Sequence, residues 1–148
     1  MELSYKPDFD RAADAWEHFW AGEIVRRPIV VASVTRAGHE GVWAGRDRYR
    51  RAVEGRHRAQ MDLIDRWLES TIFLAEAIPH FAPDYGPDQF AAFLGGRLTF
   101  SEESPNTNWI EPWVDDWDEV LPLALDESNP TWQGVLDYSR KLADHARG

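Results

Sequence analysis

The sequence predicts an α/β fold, with βα units on a parallel sheet that this stretch of chain leaves incomplete. Three observations predict it. The run Ile29-Val30-Val31-Ala32-Ser33-Val34 is β-branched and apolar on both faces, as in a strand covered on both sides. Amphipathic helical stretches alternate with strand-like runs along the chain. The 148 residues close on one such helix, where the next strand would begin in a barrel of eight βα units, a fold of about 250 residues.

The first element is a helix from about Phe9 to Ala21. Phe9, Ala12, Ala13, Trp16, Phe19 and Trp20 recur at helical spacing, with Asp8 as N-cap and Gly22 as the stop. Pro28 introduces the strand Ile29–Val34, and Gly38, Gly41 and Gly45 make the loop after it. A long helix is expected from Arg46 to Ser70, with Tyr49, Val53, Gln60, Met61, Ile64, Trp67 and Leu68 near one stripe. Thr71–Leu74 reads as a second buried strand, neighbour to the first and parallel to it.

A turn-rich stretch follows from Pro79 to Gly86, and Pro87 opens a short helix, Asp88 to Leu94, that Gly95-Gly96 ends. Leu98–Phe100 and Trp109–Ile110 are short strand candidates, and Asp115 or Asp116 caps a helix over Trp117 to Leu121. Asn129 caps a last helix from Pro130 to about Ala146, with Trp132, Val135, Leu136, Leu142 and Ala143 as its buried stripe. No repeat or low-complexity linker interrupts the order, so residues 1–148 read as a single unit.

Composition narrows the function. Hydrophobic residues at 43% and charged ones at 28% are the balance of an ordered globular chain. The longest apolar runs fall far short of the roughly 20 residues that span a bilayer. The N-terminus has no secretory character, and there is no Cys, so a cytoplasmic setting is expected. A net charge of −10 argues against nucleic acid or an anionic membrane as partner. The charge is uneven: Arg46, Arg48, Arg50, Arg51, Arg56 and Arg58 crowd together, while the charged residues of 102–127 are all acidic. The plainer reading is a solvated helix face followed by a solubilising acidic surface. The functional alternative is a basic patch that faces an anionic ligand.

Five histidines invite a metal, but no His-x-x-x-His or His-Glu-x-x-His occurs, and no protein metal site is expected. There is no Gly-x-Ser-x-Gly elbow and no thiol for nucleophilic catalysis, and Gly38, Gly41 and Gly45 fit neither a P-loop nor a dinucleotide fingerprint. Trp109, Trp113, Trp117 and Trp132 stand among acidic residues; they read as core or interface anchors, with a sugar platform as the alternative.

Several stretches, taken in order, resemble one family. Lys6-Pro7-Asp8-Phe9, Trp16, Phe19-Trp20, Gly22-Glu23-Ile24 and Arg27-Pro28-Ile29-Val30-Val31 resemble the opening of uroporphyrinogen decarboxylase-like proteins, especially their less characterised bacterial branch. Ile78-Pro79, Asp84-Tyr85-Gly86-Pro87 and Ala91-Ala92-Phe93-Leu94-Gly95 resemble the segment after that family's second strand. Asn108-Trp109-Ile110-Glu111-Pro112, Asp116-Trp117-Asp118 and Asn129-Pro130-Thr131-Trp132 continue in the same order. The match runs over nearly the whole chain and about the first two-fifths of a family member.

The resemblance implies the N-terminal part of a (β/α)8 TIM-type barrel, incomplete here, with its site at the C-terminal ends of the strands. It implies a lyase of porphyrin biosynthesis: a decarboxylase that uses no cofactor and binds a tetrapyrrole polyanion through arginines, inactive as an isolated fragment. Relatives that are methyltransferases act on corrinoid-linked substrates, with a zinc held in the later half of the chain. By the same resemblance Arg36 and His39 would grip substrate carboxylates, and Glu76 would stand for the aspartate that holds the pyrrole N–H groups. His39 takes the place of an arginine, and an imidazole, without the permanent charge and forked donors of a guanidinium, binds carboxylates less firmly at neutral pH. A third possibility is a non-catalytic module that self-associates or pairs with a complementary chain, as uncovered strand edges would favour.

Overall fold

The computed structural model describes residues 3–45, 47–104 and 106–147. Arg46, the expected first residue of the long helix and one of the clustered arginines, lies outside them. In chain order the elements are α1 (Phe9–Trp20), β1 (Val31–Thr35), α2 (Arg48–Val53), α3 (His57–Ser70), β2 (Thr71–Ala75), α4 (Gln89–Phe93), β3 (Leu98–Thr99), β4 (Trp109–Ile110), α5 (Trp117–Val120) and α6 (Pro130–His145). They form two compact units where the sequence reads as one: residues 1–43 with 63–81, and residues 44–62 with 82–148. No helix among the described residues is long and apolar enough to cross a membrane.

In the first unit β1 and β2 are neighbours, as expected, but the expected parallel pairing is corrected. They run antiparallel, with Val31 opposite Ala75, Ser33 opposite Phe73 and Thr35 opposite Thr71. The reason lies at the end of α3. Ser70 closes the helix and Thr71 opens the strand with no loop between them. The Arg36 N–H donates to the Ser70 carbonyl (2.8 Å) and its Nε to the Glu69 carbonyl (3.1 Å), so α3 ends beside the exit of β1. A parallel partner would have to start at the other end of β1, which requires a crossover that carries the chain back along the sheet. In the second unit β3 and β4 are antiparallel too. Among the described residues every strand pair is therefore antiparallel.

The expected long helix from Arg46 to Ser70 is two helices. Gly55, at φ 70, accepts the left-handed turn that ends α2, while the Gly55 N–H bonds the Ala52 carbonyl and the Arg56 N–H bonds the Arg51 carbonyl. Gly22 (φ 77) ends α1 and Gly95 (φ 109) ends α4 by the same pair of bonds, both where expected. Asn129 caps α6 as expected, its Oδ1 accepting from the Thr131 and Trp132 N–H groups. Asp116, rather than Asp115, caps α5.

The first unit's core gathers Ala12, Ile64, Phe73 and Ala77 around a buried cation. Lys6, only 1% exposed, donates from Nζ to the carbonyls of Ala75 (2.7 Å) and Phe73 (3.2 Å) and pairs with Asp8 at 2.8 Å. The second unit's core holds Ala52, Met61, Tyr85, Ala92 and Tyr138, with Gln60 bridging Arg51 and the Ala44 carbonyl. Tyr138, not the flanking apolar stripe of α6, is that helix's buried residue. The double-sided cover expected for the first strand is also corrected. Four of the five residues of β1 are exposed, Val31 at 62%, while β2 alternates buried and exposed until Ala75. The ring stripe of α1 is likewise open at its end, with Trp20 at 78%.

Candidate functional site

Glu76 stands one residue past β2 and is 6% exposed. Arg27 donates to both of its carboxylate oxygens at 2.7 Å, and the Val30 N–H donates to Oε2 at 3.0 Å. The guanidinium first, and the Val30 amide second, hold the Glu76 carboxyl below its usual range; the same contact raises Arg27. The backbone of Glu76 is fixed as well: its N–H bonds the Val30 carbonyl (3.0 Å), and its carbonyl accepts from the Trp16 indole (2.8 Å). The carboxylate is thus ionised and fully engaged, a clip between the end of β2, the entry to β1 and α1.

Arg36 and His39 share one exposed turn, closed by the His39 N–H on the Arg36 carbonyl (3.1 Å) and by Gly38 at φ 80. That turn follows Thr35, whereas Glu76 lies beside Val30 at the opposite end of the ribbon. At about 3.4 Å per residue the two backbones are about 20 Å apart. The structure brings Arg36 to His39 and does not bring Glu76 to either.

A cleft of about 520 Å³ lies in the first unit, floored by α1 and walled by residues 23–29 and Glu76. Arg11, His18, Arg26 and Arg27 line it together with Asp14 and Glu23; Phe19, Ile24, Val25 and Ile29 supply its apolar surface. His18 donates from Nδ1 to the Asp14 carbonyl (2.8 Å), a bond that raises its pKa, and it lies within 4 Å of the Asp14 and Glu23 carboxylates. Two strained backbones bracket the ion pair on the rim. Arg26 (φ 68) precedes Arg27 at the centre of a γ-turn closed by the Arg27 N–H on the Val25 carbonyl (2.9 Å), and Ala75 (φ 51) precedes Glu76. Left-handed conformations cost non-glycine residues about 1–2 kcal/mol each and concentrate where geometry matters. Arg26 is absent from the sequence expectations and Arg27 enters them only within the Arg27-Pro28 motif; the signal available was a pair of adjacent arginines directly before Pro28 and the apolar strand.

In the second unit the clustered arginines meet acids of their own chain. Arg50 pairs with Glu102 (2.7 Å), Arg48 with Asp84 (3.3 Å), Arg56 with Glu54 (2.7 Å) and Arg58 with Asp62 (3.0 Å). Buried His57 stacks on Tyr138 with ring centres 4.4 Å apart and donates from Nε2 to the Ala52 carbonyl. Among the described residues no group of three or more His, Asp or Glu is placed to hold a metal. Compared with known protein families, curated proteins and solved structures, the chain matches none.

Proposed function

We propose that this chain is the N-terminal portion of a uroporphyrinogen decarboxylase-like protein, a carboxy-lyase that acts on a tetrapyrrole-type substrate when its barrel is complete. One observation supports the reading: in the second unit two pairs of the motifs that carry the resemblance are bonded to each other, and in the first the opening motifs are bonded to the end of β2 and to Glu76. Lys6 of the opening motif donates to Phe73 and Ala75, and Trp16 donates to Glu76. Arg27 of the Arg-Pro motif grips Glu76. The Asn108 amide donates to the carbonyl of Tyr85 in Asp84-Tyr85-Gly86-Pro87, and the Asn129 amide to the carbonyl of Ala92 in Ala91-Ala92-Phe93.

Within this reading the Arg36–His39 turn is the part of the substrate site that the segment supplies. Glu76, neutralised by Arg27, acts as a positioning residue that fixes the ribbon rather than as the group beside the pyrrole N–H. A cytoplasmic setting belongs to the same reading. The test is to express the whole reading frame that contains this chain and to incubate it anaerobically with uroporphyrinogen. Mass spectrometry should show stepwise loss of carbon dioxide from the complete protein and none from residues 1–148 alone. Turnover by the 148-residue chain, or no loss with the complete protein, overturns the proposal. Methyl transfer from methylcobalamin to a thiol would assign the corrinoid branch in its place.

A second reading, a module that pairs with itself or a complementary chain, is favoured by the open apolar surface of β1 and α1 at Val31, Val34 and Trp20. Light scattering that finds a monomer at every concentration would remove self-pairing.

A further inference from the structure

We propose that the cleft walled by residues 23–29 binds an organic monoanion, a carboxylate on an apolar body, through the guanidinium of Arg26. Neither Arg36 nor His39 lines this cleft. Its first support is a count of partners. Arg27 is engaged by Glu76 and the Pro28 carbonyl, and Arg11 by Asp8 at 2.6 Å. Arg26 lines the same cleft and makes no ion pair or side-chain hydrogen bond among the described residues. Among the described residues of the cleft it is the arginine left to meet a ligand.

Its second support is the turn that carries it. The Arg27 N–H bonds the Val25 carbonyl at 2.9 Å around Arg26 at φ 68, the rarer and strained hand of γ-turn, which a glycine adopts more readily. An arginine there is not explained by the turn. The guanidinium is a planar fork that meets a carboxylate with two parallel hydrogen bonds. Phe19, Ile24 and Val25 on the same walls give an apolar body a surface to cover. Asp14 and Glu23 share the cleft, flanking His18, and repel a second negative charge. One carboxylate therefore fits better than a polyphosphate or other polyanion.

Phenylacetate and its neutral amide, phenylacetamide, are suitable probes, with affinities measured by calorimetry on the full chain and contacts mapped by amide NMR. Phenylacetate should bind at least about tenfold more tightly than the amide, as a charge-assisted bidentate contact requires. Arg26→Gly should lose that tenfold while unfolding at the same or a higher temperature, because it removes the charge and the strain together. Arg26→Lys should keep part of the preference. Equal binding of acid and amide overturns the proposal, as does unchanged affinity in Arg26→Gly or no saturable binding of phenylacetate.

Discussion

Arg27 and Glu76 face each other through two 2.7 Å hydrogen bonds, and each follows a non-glycine residue in a left-handed conformation, Arg26 before one and Ala75 before the other. The contact spans 49 residues of chain and locks the end of β2 to the entry of β1. Glu76→Gln keeps the shape, loses the charge and leaves one oxygen to accept where there were two. It should destabilise the chain by about 1–3 kcal/mol in urea titrations near neutral pH. The deficit should depend on pH with a definite sign. The Glu76 pKa is depressed in the folded state, so the wild type's advantage is complete above the ordinary value of 4.5 and fades as pH falls through the lower folded value. An equal deficit at pH 7 and at strongly acid pH would contradict the ion-pair account.

Lys6 has a comparable role at the same end of β2. Lys6→Met leaves the Phe73 and Ala75 carbonyls without their donor and Asp8 without its first partner. A loss of about 1–3 kcal/mol is expected. The Asp8 carboxyl, held down chiefly by Lys6, should move back toward its ordinary 3.8 in a carboxyl-detected NMR titration.

Two glycines should fail for opposite reasons. Gly55 has open space where a Cβ would go, but its φ is +70, so Gly55→Ala costs about 1–2 kcal/mol through the backbone alone. Gly134 lies inside α6, where alanine is the better helix former, yet its Cβ would stand 2.6 Å from the buried Tyr85 hydroxyl. Gly134→Ala should therefore destabilise, and adding Tyr85→Phe should restore much of the loss. Gly55→Ala should gain nothing from that second change. Thermal unfolding of the four variants decides it.

Tyr138 is 1% exposed, and its hydroxyl is buried with no hydrogen-bond partner among the described residues. Burial pushes its pKa up to about 12 from 10.0. Tyr138→Phe should be neutral or stabilising, by about 1 kcal/mol, since it removes an unsatisfied buried group. The raised value means that the folded wild type is fully stabilised below pH 10 and loses stability as pH rises toward 12, which the phenylalanine variant should not. A melting-temperature series from pH 9 upward compares the two directly.

Local chemistry was legible in the sequence. Gly22, Gly95 and Asn129-Pro130 mark helix ends because the groups that satisfy a helix terminus lie within a few residues of it. Gly55 carried the same signal, and an apolar stripe counted across it hid the break. Strand direction was not legible. It is decided by Arg36 holding the end of α3, a contact between Arg36 and Glu69 that no period in the sequence encodes. Glu76 was singled out only through the resemblance, and the structure places it in an ion pair with Arg27. Its partner, Arg27, was invisible because an ion pair depends on the fold that places it. The β-branched composition of β1 identified a strand and could not say what, if anything, would lie over it.

Among the described residues β1 has β2 on one side and no strand on the other, and from Val31 to Thr35 it carries no charge. An uncharged open edge is a template for recruiting further copies. Concentrated stocks should thus deteriorate by fibril growth seeded at this ribbon. A lysine at exposed Ser33 should lengthen the lag in thioflavin fluorescence without moving the melting temperature.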